Sequence, residues 1–105
     1  MIRSDSLLDI IIRQRRFSQK AFGPGYRTRS IVTHIRKELV EVLEAPDDLD
    51  EWIDVIILGL DGAWRTGATP ADILVTLQRK QEKNERRRWP DWRMIGQDKP
   101  IEHIK

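Results

Sequence analysis

Two carboxylate pairs with three-residue spacing, Glu38 and Glu41 followed by Glu51 and Asp54, could do chemistry. A helix advances about 100° per residue, so each pair lies on one face of its helix. Eight of the 17 acidic residues fall within positions 38–54, although the chain carries a net charge of +2. Four converging carboxylates cannot all stay ionised without cations nearby. Magnesium and manganese take hard oxygen ligands, and magnesium typically uses one or two carboxylates together with substrate phosphates. ExxE followed by ExxD on paired helices would supply such a ligand set. His34 lies on the same flank as Glu38 and Glu41. Glu44, Asp47, Asp48 and Asp50 suit the roles of loop acids and acids at a helix N-terminus.

A second set of residues complements the first. Ile73 and Leu77 share a helical stripe whose next positions are Lys80 and Asn84, then Arg87 or Arg88. A stripe that turns from apolar to cationic suits an anion held by lysine, amide and arginine. A metal ion and a polyphosphate would together make the acidic cluster sensible. The stretch RRRWPDWR (86–93) could instead contact nucleic acid, although such a stretch is more often a solvated face.

Four helices must position these groups. SLLDIIIRQRRFSQKA (6–21) has Leu8, Ile11, Ile12 and Arg15 at helical spacing, with Ser4 or Ser6 as N-cap. FGPGYRTR (22–29) is a loop, because two glycines around a proline interrupt any periodic structure. Residues 31–44 put Ile31, Ile35, Leu39, Val42 and Leu43 on one stripe, and Ala45-Pro46 ends that helix. The third helix runs from Asp47 or Asp48 to about Arg65. Its apolar residues cover nearly three sides, which predicts the most buried helix of the four. Thr69 as N-cap, Pro70 at the first position and Asp72 in the first turn open the fourth, which reaches about Arg87 before Trp89-Pro90 stops it. Residues 91–105 read as an irregular tail. The fold class expected is all-α, in a single domain spanning 1–105.

The composition narrows the function classes. There is no cysteine, which excludes a disulfide framework and a thiolate metal site. The apolar run LLDIII is short and followed at once by RQRR, unlike a signal peptide. No stretch approaches the roughly 20 apolar residues of a membrane span. A cytoplasmic protein without membrane contact is expected.

The order of these motifs resembles a known family. ExxE, nine residues, then ExxD, with KxxKN (80–84) downstream, is similar to the all-α MazG-type nucleoside triphosphate pyrophosphohydrolases. FGPG, HIRKELVE, DEWID, LDG, RRWPD and the closing KPIEHIK resemble, more narrowly, the dATP/dGTP diphosphohydrolase branch of phages and bacteria. The resemblance implies a MazG-like helical bundle that hydrolyses a purine deoxynucleoside triphosphate to the monophosphate and pyrophosphate. Glu38, Glu41, Glu51 and Asp54 would bind Mg²⁺ or Mn²⁺, and Glu38 or Glu41 would help deprotonate the attacking water. Lys80, Asn84 and one of Arg87 or Arg88 would hold phosphates, with His34 near the substrate. In a phage-encoded protein such activity, working in the host cytoplasm, would supply dGMP for modified DNA. Two positions depart from the pattern. Lys37 stands where many relatives carry the first Glu of EExxE, and Phe17 where the branch often has Trp.

The third helix also bears on assembly. Trp52, Ile53, Ile56, Ile57, Leu60, Ala63 and Trp64 spread over about two-thirds of its circumference, more than two neighbouring helices can cover. A homo-oligomer follows, and the resemblance favours a tetramer built as a dimer of dimers over a dimer. Other function classes consistent with the sequence are a small basic DNA-binding protein and a helical protein-interaction module.

Overall fold

The computed structural model describes residues 4–105. In chain order these form α1 (Leu7–Phe22), α2 (Thr28–Glu44), α3 (Leu49–Trp64), α4 (Pro70–Arg86) and a short 3-10 turn (Trp92–Met94), with no strand among the described residues. The chain divides into two compact units, Met1–Leu74 and Val75–Lys105. α4 begins in the first and its later turns belong to the second.

Local chemistry sets the helix ends. Ser6 rather than Ser4 caps α1: its Oγ accepts from the Asp9 amide at 3.1 Å while Asp9 Oδ2 accepts from the Ser6 amide at 3.1 Å. The same reciprocal pair opens α4 between Thr69 and Asp72, and each such box satisfies two amides that would otherwise lack partners. Gly23 and Gly25, at φ 84° and 89°, turn the chain between α1 and α2, a backbone region costly for any residue with a Cβ. The Asp48 side chain caps α3, and Trp52 Nε1 donates to the Pro46 carbonyl at 2.9 Å, fastening the α2–α3 connection to the helix that follows.

In the first unit α3 packs against both α1 and α2. A Cβ on Gly62 would meet Ile31, near the start of α2, while Glu51, near the start of α3, approaches Glu41, near the end of α2. The two helices therefore run antiparallel. The apolar core is small. Ile11, Trp64 and Ile73 form its centre, and Leu60, Ala63, Ala68 and Leu74 pack around them.

Beside that core lies a buried polar network. The Asp61 carboxylate accepts from Ser18 Oγ, from Trp64 Nε1 at 2.9 Å and from Gln14 Nε2 at 3.2 Å. Arg65 Nε lies 3.4 Å from Asp61 Oδ2, and its Nη2 donates to Ser18 Oγ at 3.1 Å. Arg65 Nη1 reaches the loop, donating to the Gly23 and Gly25 carbonyls at 3.0 and 2.8 Å. The guanidinium lies 4.3 Å from the centre of the Trp64 ring, so an apolar face covers the charge. One ion pair thus ties α1, the FGPG loop and α3 together.

The expected burial of α3 is not met within one chain. Its buried residues are Asp61 and Trp64, and Trp52, Ile53, Ile56 and Ile57 are exposed. The α2 stripe is likewise split: Ile31 and Val42 are buried while Leu43 is 81% exposed. Within the first unit α1 packs against α3 but leaves these residues uncovered.

Removing Arg65 should leave the Asp61 carboxylate buried without its counter-charge and release the loop carbonyls. Arg65→Met is expected to cost about 3–5 kcal/mol in urea denaturation. A loss below about 1 kcal/mol would show that water replaces the guanidinium and that the pair does not fasten the loop.

Candidate active site

The antiparallel hairpin of α2 and α3 brings together residues that lie far apart in sequence. Glu38, Glu41 and Glu51 each offer a carboxylate oxygen, all within 4.8 Å of one another. Asp54 lies outside this closest set but borders the same cleft as Glu38, and its charge acts on Glu38. His34, one turn before Glu38, places Nε2 3.3 Å from Glu38 Oε1.

Crowding raises the proton affinity of two of these acids. A hydrogen bond shared with Glu41, burial, and the charges of Glu41 and Asp54 push the Glu38 carboxyl above its ordinary value, while His34 pulls it down. Burial comes first for Glu51, followed by the hydrogen bond and charge of Glu41 and the charges of Asp48 and Glu38. With the acids ionised, Glu38 Oε2 and Glu51 Oε2 are buried and have no donor. Buried oxygens in that state are costly. Two oxygens on opposite sides of one Mg²⁺ stand about 4 Å apart, close to the spread of this set. Hard oxygen donors, excess negative charge and two donorless buried oxygens fit a divalent cation.

A cleft of about 340 Å³ adjoins the acids, bordered by both Glu38 and Asp54. His34, Ser30 and Arg27 continue it along α2 toward the FGPG loop. Phe17 and Phe22 form an aromatic wall, their rings edge to face with centroids 5.8 Å apart. Gln14 and Asp61 line it from α1 and α3. A cleft with an aromatic wall that also includes Glu38 and Asp54 can hold a flat ring in the same cavity as charged groups that a cation would neutralise.

The phosphate-helix candidates lie in the second unit. Lys80 and Arg88 are exposed, and Leu77 on the same stripe is half-exposed. Asn84 Oδ1 accepts from Arg87 Nη1 at 2.9 Å, so these two candidates are joined. Residues 91–105 are not wholly irregular. Besides the 3-10 turn, the Ile104 amide donates to the Arg88 carbonyl at 2.8 Å, and His103 meets the Trp89 ring edge to face. Trp89 Nε1 donates to the Asn84 carbonyl, and Arg93 pairs with Asp91. These contacts give His103 a structural role and tie Trp89 of the basic stretch into the unit itself.

Sequence reasoning does not reach Gln14, Ser18, Arg27 or Ser30. Spacing puts Asp61 and Arg65 on one face of the third helix but does not identify their partners across the chain. The one available signal is an Asp and an Arg spaced i,i+4 at the end of a helix whose later turns are otherwise apolar. Burial makes such a pair improbable unless further groups complete its hydrogen bonds.

The model of a family described as dATP/dGTP pyrophosphohydrolase matches residues 10–105. No curated protein and no solved structure matches the chain. No helix among the described residues is long and apolar enough to cross a membrane.

The acid cluster should make stability depend on pH and metal together. Carboxyls with raised folded values bind protons more tightly folded than unfolded. The metal-free protein should therefore lose stability as pH rises above the ordinary glutamate value of 4.5 through the raised values of Glu38 and Glu51. Asp61 acts in the opposite sense and lower down: its contribution is present above 3.8 and lost as pH falls through its lowered value. A divalent cation competes with protons for the same oxygens. The rise in melting temperature with Mn²⁺ should accordingly be larger at about pH 7 than at about pH 5. An equal shift at both, or none, would show that the cluster does not take up the ion.

Proposed function

Because the chain belongs to the dATP/dGTP pyrophosphohydrolase family, we propose that it cleaves dATP or dGTP between the α and β phosphates. The products are the deoxynucleoside monophosphate and pyrophosphate. The family makes the protein an enzyme, a nucleoside triphosphate diphosphatase. The observation that carries the metal-dependent form of this reading is the set of three close carboxylates with two buried, donorless oxygens, of which Glu38 also lines the aromatic cleft.

Glu38, Glu41, Glu51 and Asp54 are the ligands for Mg²⁺ or Mn²⁺. When bound, such an ion supplies positive charge against the phosphates and makes water more acidic. Glu38 or Glu41 accepts the proton of the attacking water. Glu38 is the better placed of the two, since it borders the cleft. The oxygen of that water bonds to phosphorus, the bridging P–O bond breaks, and pyrophosphate leaves with the electron pair. Lys80, Asn84, Arg87 and Arg88 provide cationic and amide donors for phosphate oxygens, and His34 contacts the substrate beside Glu38. The Asn84–Arg87 hydrogen bond supports that assignment because it restrains a guanidinium before any ligand arrives. The nucleoside occupies the cleft beside Phe17 and Phe22. The sequence resemblance extends the proposal to a cytoplasmic enzyme supplying dGMP for modified phage DNA.

The same proposal includes assembly as a homotetramer, a dimer of dimers. Its support is the exposed apolar surface of the α2–α3 hairpin, where Leu39, Val40, Leu43, Trp52, Ile53 and Ile56 lie bare in the single chain. A surface of that kind marks an interface, and closed symmetric pairing covers it most simply.

Incubation with dGTP or dATP and Mn²⁺ should release pyrophosphate. Glu38→Gln or Asp54→Asn should reduce the rate by at least about a hundredfold with helicity retained. In the same assay, Lys80→Ala and Asn84→Ala should weaken turnover more than Lys83→Ala. Full activity in Glu38→Gln would reject the ligand assignment, and equal slight losses at the three α4 positions would reject the phosphate helix. Light scattering at micromolar concentration should give a mass several times the 12.4 kDa of one chain. An active monomer would overturn the assembly.

A further inference from the structure

We infer that Gln14 reads the purine base, its side-chain oxygen accepting a hydrogen bond from a donor on the base's Watson–Crick edge. The inference rests on the proposed activity and deepens it by assigning the group that recognises the base. Gln14 and Phe17 are three residues apart on α1, so they share a face, and both line the cleft that Glu38 and Asp54 also border. A ring held against Phe17 and Phe22 lies in the same cleft that Gln14 lines.

The chemistry of Asp61 dictates which end of the Gln14 amide is available. Gln14 Nε2 lies 3.2 Å from Asp61 Oδ1. An ionised carboxylate offers only acceptors, so the nitrogen must face it and the oxygen is the end left for a ligand. Asp61 stays ionised. Burial would raise its carboxyl, but hydrogen bonds from Ser18, Trp64 and Gln14 and the charge of Arg65 outweigh that and lower it. Asp61 also lines the cleft, yet it is a poor reader of a ligand. Its Oδ1 already takes donors from Gln14, Ser18 and Trp64, and its Oδ2 is paired with Arg65. The recognition falls to the amide that Asp61 orients. Adenine presents its 6-amino group along the Watson–Crick edge, and guanine its N1–H and 2-amino group. An acceptor at that edge serves both purines of the family's substrates.

The test compares the faster of dATP and dGTP with purine 2′-deoxyriboside triphosphate, which keeps the bicyclic ring but has no donor on that edge. Pyrophosphate release with Mn²⁺ is measured for the full chain and for Gln14→Met, which keeps the side-chain length and removes the amide. The wild type should favour the donor-bearing substrate by about tenfold in kcat/KM. Gln14→Met should bring that ratio to within about twofold of one while the Mn²⁺-dependent rise in melting temperature persists. Gln14→Leu serves as a second variant should the first fail to fold. A wild type that treats the two triphosphates alike, or a folded variant that keeps the wild-type ratio, overturns the inference and leaves the activity standing. Absence of pyrophosphate from every triphosphate overturns the activity itself, and the inference with it.

Discussion

Asp61 and Arg65 are opposite charges one helical turn apart at the end of α3, both buried, and the cleft is built around them. Taking two ions out of water is costly, and their mutual attraction offsets the cost only when their remaining hydrogen-bonding capacity is also met. Here Ser18, Gln14 and Trp64 complete the carboxylate, while the carbonyls of Gly23 and Gly25 complete the guanidinium. These partners come from three parts of the chain. The requirement to satisfy one ion pair therefore fixes α1, the glycine loop and α3 relative to one another. Phe17 and Phe22 sit on the elements so held, and the position of the aromatic wall follows from that.

The acidic end of the cleft shows the opposite electrostatic condition. Asp61 is compensated and its proton affinity is lowered, whereas Glu38 and Glu51 are crowded by other acids and theirs is raised. Both sites draw on α3 and both contain buried carboxylate oxygen. The difference is the presence of donors. A compensated acid serves as a structural fixture, and an uncompensated cluster stores repulsion that a cation relieves on binding. Under the proposed function, the stability lost at the cluster would be recovered on binding the divalent ion.

The small core sets a further constraint. Ile11, Trp64 and Ile73 anchor it, but much of the apolar surface of α2 and α3 remains exposed in the single chain. A chain of 105 residues has little interior to spend on a helix that is apolar on nearly three sides. The same helix that carries Glu51, Asp54 and Asp61 presents bare isoleucines and Trp52 elsewhere. Site and exposed surface therefore lie on one helix.

Much of the architecture was legible from the chain because it depends on local rules. The boundaries of α3 and α4 follow from Asp48, Thr69, Pro70 and Asp72, each acting within one turn. The glycine loop follows from a backbone conformation that residues with a Cβ avoid. Spacing placed Glu38 beside Glu41 on one helix and Glu51 on the next, and the short connection between them folded those faces together. Tertiary structure decided the rest. Asp61 and Arg65 were visible as an i,i+4 pair, but Ser18 and Gln14 lie 43 and 47 positions from Asp61 in sequence and find it only through the packing of α1 on α3. It also decided that α3 would be less buried within one chain than its apolar content implies. Periodicity tells which side of a helix avoids water, and only the number and length of neighbouring elements determine how much of that side they cover.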